Sequence, residues 1–260
     1  MSDSTTAFHG APSDKPVIHG AHTEHEHPPY QRHHFASMEQ QVDTTSFAMW
    51  LFLVTEIMFF GGLFCSYLIF RNWYYPAFVA ASHQLNIVEG TANTAVLIAS
   101  SFTMAMGVWC AEMRKKSGLI LCLCLTFVLG LAFLGIKYDE YHEKYIKHHV
   151  PSWHYSTKSF TDPASDPEVH KAYPDDKPLA LDMARHTEVY FGLYFAMTGM
   201  HALHMIIGIC ILGFMIFRAR AGAYTNGHVT FVNNFGLYWH FVDIVWIFLY
   251  PLLYLISRHA

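Results

Sequence analysis

Between Phe231 and Ile256 the chain reads FVNNFGLYWHFVDIVWIFLYPLLYLI, a run of membrane-spanning length with a histidine and an aspartate inside it. About 20 predominantly apolar residues cross a bilayer. An ionisable side chain at that depth costs roughly several kcal/mol unless protein, a paired group or water shelters it. Trp239, His240 and Asp243 therefore call for an inward-facing arrangement, and other apolar segments must supply the shelter.

Four further runs meet that requirement. The spacing predicts spans over about 47–70, 91–111, 118–136, 189–217 and 231–256, separated by polar stretches. Only 14% of residues are charged while 53% are hydrophobic; soluble domains carry charge on about a quarter of their residues. The fold class expected is all-α, a polytopic five-transmembrane-helix bundle. A net charge of −4 without any basic block argues against nucleic acid as a partner. Residues 1–45 are polar and carry His9, His19, His22, His25, His27, His33 and His34. They contain no apolar core of a secretory signal and read as a flexible tail, with metal chelation by the histidines as the alternative. Residues 137–188 read as one long polar loop, a cover facing a partner.

Trp50 at one end of the first span, and Trp73, Tyr74 and Tyr75 at the other, fit interfacial anchors. Gly61 and Gly62 would admit a close helix neighbour. Ala95, Ala99, Thr103, Gly107 and Ala111 recur every fourth position and suggest a small-residue packing stripe on the second span. The five cysteines, Cys65, Cys110, Cys122, Cys124 and Cys210, fall inside apolar runs and read as buried free thiols. Arg114, Lys115, Lys116, Arg218 and Arg220 flank the spans on the side of the N-terminus, against Arg71 and Arg258 on the other. That bias puts the N-terminus in the cytoplasm and the C-terminus outside. Seven basic residues of the long loop count the other way, many of them far from a helix end.

Glu56, His201, His204, His240 and Asp243 are the ionisable groups inside the apolar runs. They admit three readings: a structural network that pairs helices or holds lipid headgroups, axial ligation of haem, or a path for protons. His201 and His204 lie too close on one helix to be opposite ligands of one haem. No converging set of metal ligands is visible in the spacing. His240 and Asp243, three residues apart, share a face on which imidazole and carboxyl could meet.

Five motifs then carry a resemblance. TEIMFFGGLF (55–64), NTAVLIAS (93–100), DEYHE (139–143), TGMHALHMIIG (198–208) and YWHFVDIVWIFLYP (238–251) occur one per span or span end. In that order they resemble subunit III of haem-copper terminal oxidases, in its five-helix bacterial form. The resemblance covers all five spans, but neither the N-terminal tail nor most of the long loop. It implies a multi-pass protein of the bacterial inner membrane within an aerobic oxidase that reduces O2 to water and pumps protons. It implies no cofactor in this chain: haems and copper belong to subunits I and II. Subunits I and II are then the expected partners, with phospholipid bound among the helices and cytochrome c, or another electron donor, acting indirectly. The long loop would face the side where that donor docks. Support for proton uptake and for the working lifetime of the complex is the implied role. Glu56 corresponds to the family's carbodiimide-reactive carboxyl. Glu140 of DEYHE joins His201, His204, His240 and Asp243 as an expected buried polar or lipid-binding group. Longer members have seven helices, and the first two have no counterpart here, although the family's lipid cleft lies between that pair and the rest. The alternatives are a quinol-oxidising member of the same superfamily or a haem-b-binding membrane anchor. A stand-alone transporter would call for paired interrupted helices or an internal repeat, which this sequence lacks.

Overall fold

A computed structural model describes residues 37–151, 155–162, 178–222, 224 and 229–256. The regular elements among them are all helical: α1 Met38–Trp73, α2 Tyr75–His83, α3 Ile87–Glu112, α4 Lys116–Ile146, α5 Lys158–Thr161, α6 Leu181–Arg185, α7 Thr187–Arg220 and α8 Thr230–Tyr254. Five helical segments are long and apolar enough to cross a membrane, formed by α1, α3, α4, α6 continuing into α7, and α8. The histidine-rich residues 1–36, Lys171, Lys177 and Arg258 lie outside the described residues.

The packing follows a repeat that alternates steps of three and four. On α3 it buries Gly90, Asn93, Leu97, Ser100, Met104 and Gly107. On α4 it buries Leu119, Leu123, Thr126, Gly130, Phe133, Lys137, Glu140 and Lys144. A mean period of 3.5 keeps one seam toward a neighbour and favours a shallow left-handed crossing. Accordingly α3 lies along α4 and α8, α4 along α7, and α7 along α8.

The every-fourth stripe expected on α3 behaves differently. Gly107 and Ala111 are buried and Thr103 is half-buried, but Ala95 and Ala99 are exposed. A step of four residues advances about 40° beyond a full turn, so such a stripe walks around the helix. Only its lower end reaches α4, where Thr103 Oγ1 lies 2.8 Å from Thr126 Oγ1 and a Cβ on Gly107 would touch Cys122.

Trp239 locks the centre. Its ring crosses between α4 and α7, with hypothetical Cβ atoms on Gly130 and Gly208 only 3.2 and 2.8 Å from it. Its indole Nε1 donates to Ser100 Oγ at 3.0 Å. A side chain at Gly208 would displace this ring, which explains glycine there better than helix propensity, which disfavours it. The last carbonyls of α8 have no intrahelical donor. Tyr67 of α1 donates to Leu252 O at 2.6 Å and Tyr190 of α7 to Leu253 O at 2.8 Å.

Three expectations need correction: the end of the third span, the close contact at Gly61 and Gly62, and the burial of the cysteines. The third span does not end at 136: α4 continues to Ile146, because Lys137, Glu140 and Lys144 stay in phase with its buried seam. The described residues of the long loop pack back on the bundle. Leu179 N donates to Phe160 O at 2.9 Å, Tyr155 and Thr187 share a 2.7 Å hydrogen bond, and His149 stacks on Phe191. Gly61 and Gly62 meet no neighbour within 4 Å, because α1 stands off from the other helices along that stretch. All five cysteines are free, but Cys65 and Cys210 are exposed on the helix surface instead of buried.

Candidate functional site

The gap beside α1 is a lateral cleft of about 660 Å³ against α7 and α8. Phe52, Phe59, Leu203, Ile207 and Phe235 give it apolar walls, and Glu56, His204 and Tyr238 are its ionisable lining. Glu56 and His204 sit near the middle of their helices. His204 Nε2 lies 3.2 Å from Glu56 Oε2. Its other nitrogen, Nδ1, is 2.8 Å from Met200 O. A carbonyl oxygen only accepts, so Nδ1 carries the hydrogen of that bond. Nε2 then faces the Glu56 carboxyl across the cleft. Tyr238 anchors the turn by donating to His204 O at 2.8 Å, and the Phe60 ring packs against the imidazole. The arrangement places a carboxyl and an imidazole within contact distance on the wall of an otherwise apolar cleft.

A second cluster lies toward the other end of α4. Lys137 Nζ is 2.7 Å from Glu140 Oε2 and donates to the Tyr254 hydroxyl at 2.7 Å. Tyr194 and Tyr254 both donate to Glu140 Oε1, at 2.8 and 2.6 Å. The Trp246 ring lies 4.6 Å from the ammonium. Lys144, fully buried, donates to Gln84 O. Of this cluster the sequence reading singles out Glu140 alone. Lys137 and Lys144 read there as polar residues beyond a span end, although their place in the 3.5-residue seam marks them as inward.

The remaining candidates separate. His201 is buried among aromatic rings, near Phe133 and Trp246, with neither ring nitrogen hydrogen-bonded. His240 and Asp243 share the wall of a groove of about 380 Å³ between α3 and α8, yet no hydrogen bond joins them. His240 Nδ1 pairs with Ser101 Oγ at 2.7 Å instead. His201, His204 and Asp243 are buried, while Glu56 and His240 are half-buried. Among the described residues no three histidine, cysteine or acidic side chains converge as a metal site would require.

Ionisable pairs enclosed between five apolar helices, with a cleft opening sideways, define a multi-pass membrane protein whose polar groups serve an interior rather than an aqueous surface. The family model for cytochrome c oxidase subunit III matches residues 182–258, which include His201, His204, His240 and Asp243. A probable cytochrome c oxidase subunit 3 of Mycobacterium leprae is 32% identical, over 79% of this chain and 85% of its own length. A counterpart from Nocardia farcinica is 30% identical over the same shares. Cytochrome c oxidase subunit 3 of Thermostichus vulcanus is 29% identical over 80% of this chain and 85% of its own. The chain belongs to the cytochrome c oxidase subunit III family.

Proposed function

We propose that this chain is the cofactor-free third subunit of a proton-pumping aerobic oxidase in the bacterial inner membrane. It packs on subunit I, whose centres, with those of subunit II, hold the haems and copper and reduce O2 to water. Its N-terminus lies in the cytoplasm and its C-terminus outside, in keeping with the basic residues at the α3–α4 turn and at the end of α7. Cytochrome c reaches the complex through the other subunits. The contribution of this chain is to order phospholipid in the α1 cleft and to support proton delivery to subunit I.

The observation that carries this reading is the Glu56–His204 pair, 3.2 Å apart at mid-depth in an apolar cleft. A purely structural pair would be enclosed by protein. This one borders space that, in a membrane, acyl chains fill, so lipid completes the shelter that α1 alone does not give. The cleft forms between α1 and α7–α8, so it does not need the two helices that longer family members add. Replacing Glu56 by alanine in the purified complex is expected to leave haem content unchanged and to slow proton uptake or shorten the active lifetime. Loss of haem from that variant would contradict the assignment.

A further inference from the structure

The α3–α4 hairpin holds a pair of thiols that neither the Glu56 cleft nor the Lys137–Glu140 cluster uses. Gly107 and Cys110 are about one turn apart on α3, and Gly118 and Cys122 about one turn apart on α4. Each cysteine sits over a glycine of the other helix. A Cβ on Gly118 would come within 2.8 Å of Cys110 Sγ, and a Cβ on Gly107 within 3.4 Å of Cys122 Cβ. Small residues at such points let membrane helices approach closely. The Cys110 thiol is accordingly the hydrogen-bonding neighbour of the Cys122 thiol. A disulfide joins Cα atoms no more than about 7 Å apart, a spacing that helices reach most readily where glycines line the contact.

Position brings the pair within reach of an oxidant. Cys110 lies two residues before the end of α3 at Glu112, and Cys122 six after the start of α4 at Lys116. These are roughly 3 and 9 Å along the helices from the turn, nearer the headgroups than mid-depth. Arg114, Lys115 and Lys116 form the turn itself. Cys110 is 6% exposed and Cys122 is half-buried, so a small neutral oxidant meets Cys122 first. Apolar burial slows a thiol, so the pair responds to sustained oxidant and stays reduced without it.

We propose that Cys110 and Cys122 form a reversible disulfide that staples α3 to α4 when hydrogen peroxide accumulates at this end of the bundle. The Cys122 sulfur attacks one peroxide oxygen; the O–O bond breaks, leaving a sulfenic acid and one water. The Cys110 sulfur then attacks the sulfenic sulfur. The S–S bond forms, and the S–OH oxygen leaves as a second water. Each sulfur gives up one electron, the peroxide takes both, and the two thiol protons end in the two waters. A dithiol reductant reverses the link. The thiol geometry does not depend on the subunit III reading, which adds only an O2-reducing neighbour.

The test treats the intact detergent-solubilised complex with hydrogen peroxide, blocks the remaining thiols, and digests the denatured chain with trypsin without reductant. Arg114, Lys115 and Lys116 lie between the two cysteines, so cleavage there separates their peptides unless a disulfide joins them. Peroxide is expected to turn the linked pair from a trace into the main form of both peptides, within single chains on a non-reducing gel. Dithiothreitol is expected to abolish it. Cys122→Ser should remove the link and Cys124→Ser should leave it, because residue 124 lies about 200° around α4 from residue 122. Fragment ions that separate 122 from 124 in the unaltered chain give the same answer if a variant does not assemble. Two thiols still reduced after peroxide, a link through Cys124, a link between two chains, or oxidation of Cys122 without a link to Cys110 would each overturn the proposal. Failure of the chain to co-purify with any other oxidase subunit would overturn the subunit III reading and leave the thiol result standing.

Discussion

Glu140 and Glu56 are both carboxyls inside membrane helices, and the protein treats them in opposite ways. Glu140 is fully buried and receives three donors, from Lys137, Tyr194 and Tyr254. Glu56 is about one-fifth exposed and faces one imidazole across a cleft. A carboxylate with three donors on its two oxygens is held in one state and fastens α4 to α7 and α8. A carboxyl with one titratable partner can change its protonation without disturbing a network. The two carboxyls are equally helical and differ in what surrounds them: Glu140 lies in a filled network, Glu56 beside open space.

The comparison can be broken most sharply at Glu140. Glu140→Ala leaves the Lys137 ammonium buried without its counter-charge and should cost about 3–5 kcal/mol, read as loss of folded chain in equilibrium unfolding of the purified protein in detergent. The pair Lys137→Met with Glu140→Leu removes both charges and should recover most of that loss, since a buried ion pair is often replaceable by apolar packing. A double variant as damaged as the single one would show that the network acts beyond its charges. Tyr254→Phe deletes one donor to a charged acceptor and should cost about 1.5–3 kcal/mol in the same measurement. Glu56→Gln belongs at the small end. Its amide can still bond His204 Nε2, so stability should change by less than about 1 kcal/mol, while proton uptake by the complex slows because the amide does not exchange a proton. A large loss of stability from Glu56→Gln would erase the distinction between the two carboxyls.

The five spans were legible because apolar run length is a one-dimensional signal; the helices follow those runs, with the largest differences at α1, which already begins at Met38 within the stretch read as tail, and at the end of α4, where polar residues are buried. Lys137 and Lys144 show why. Read by residue type they end a span, whereas read by phase they continue the seam of Leu119, Leu123 and Thr126. The ionisable residues Glu56, His204 and Asp243 could be singled out from their setting, but their partners could not. Which nitrogen or carboxyl meets which group depends on helix rotation, and a few tens of degrees decide it. That rotation sends Ser101, and not Asp243, to His240, and leaves Ala95 and Ala99 on the outer surface of α3.

The central claim is that this chain serves a catalytic centre housed in its neighbours. The most direct measurement compares the purified oxidase before and after selective removal of this chain, recording the haem spectrum and O2 consumption over time. The account predicts an unchanged haem absorbance per subunit I and an initial rate largely retained, followed by faster inactivation. Haem released in step with the chain, or a Soret band in the isolated polypeptide, would contradict it.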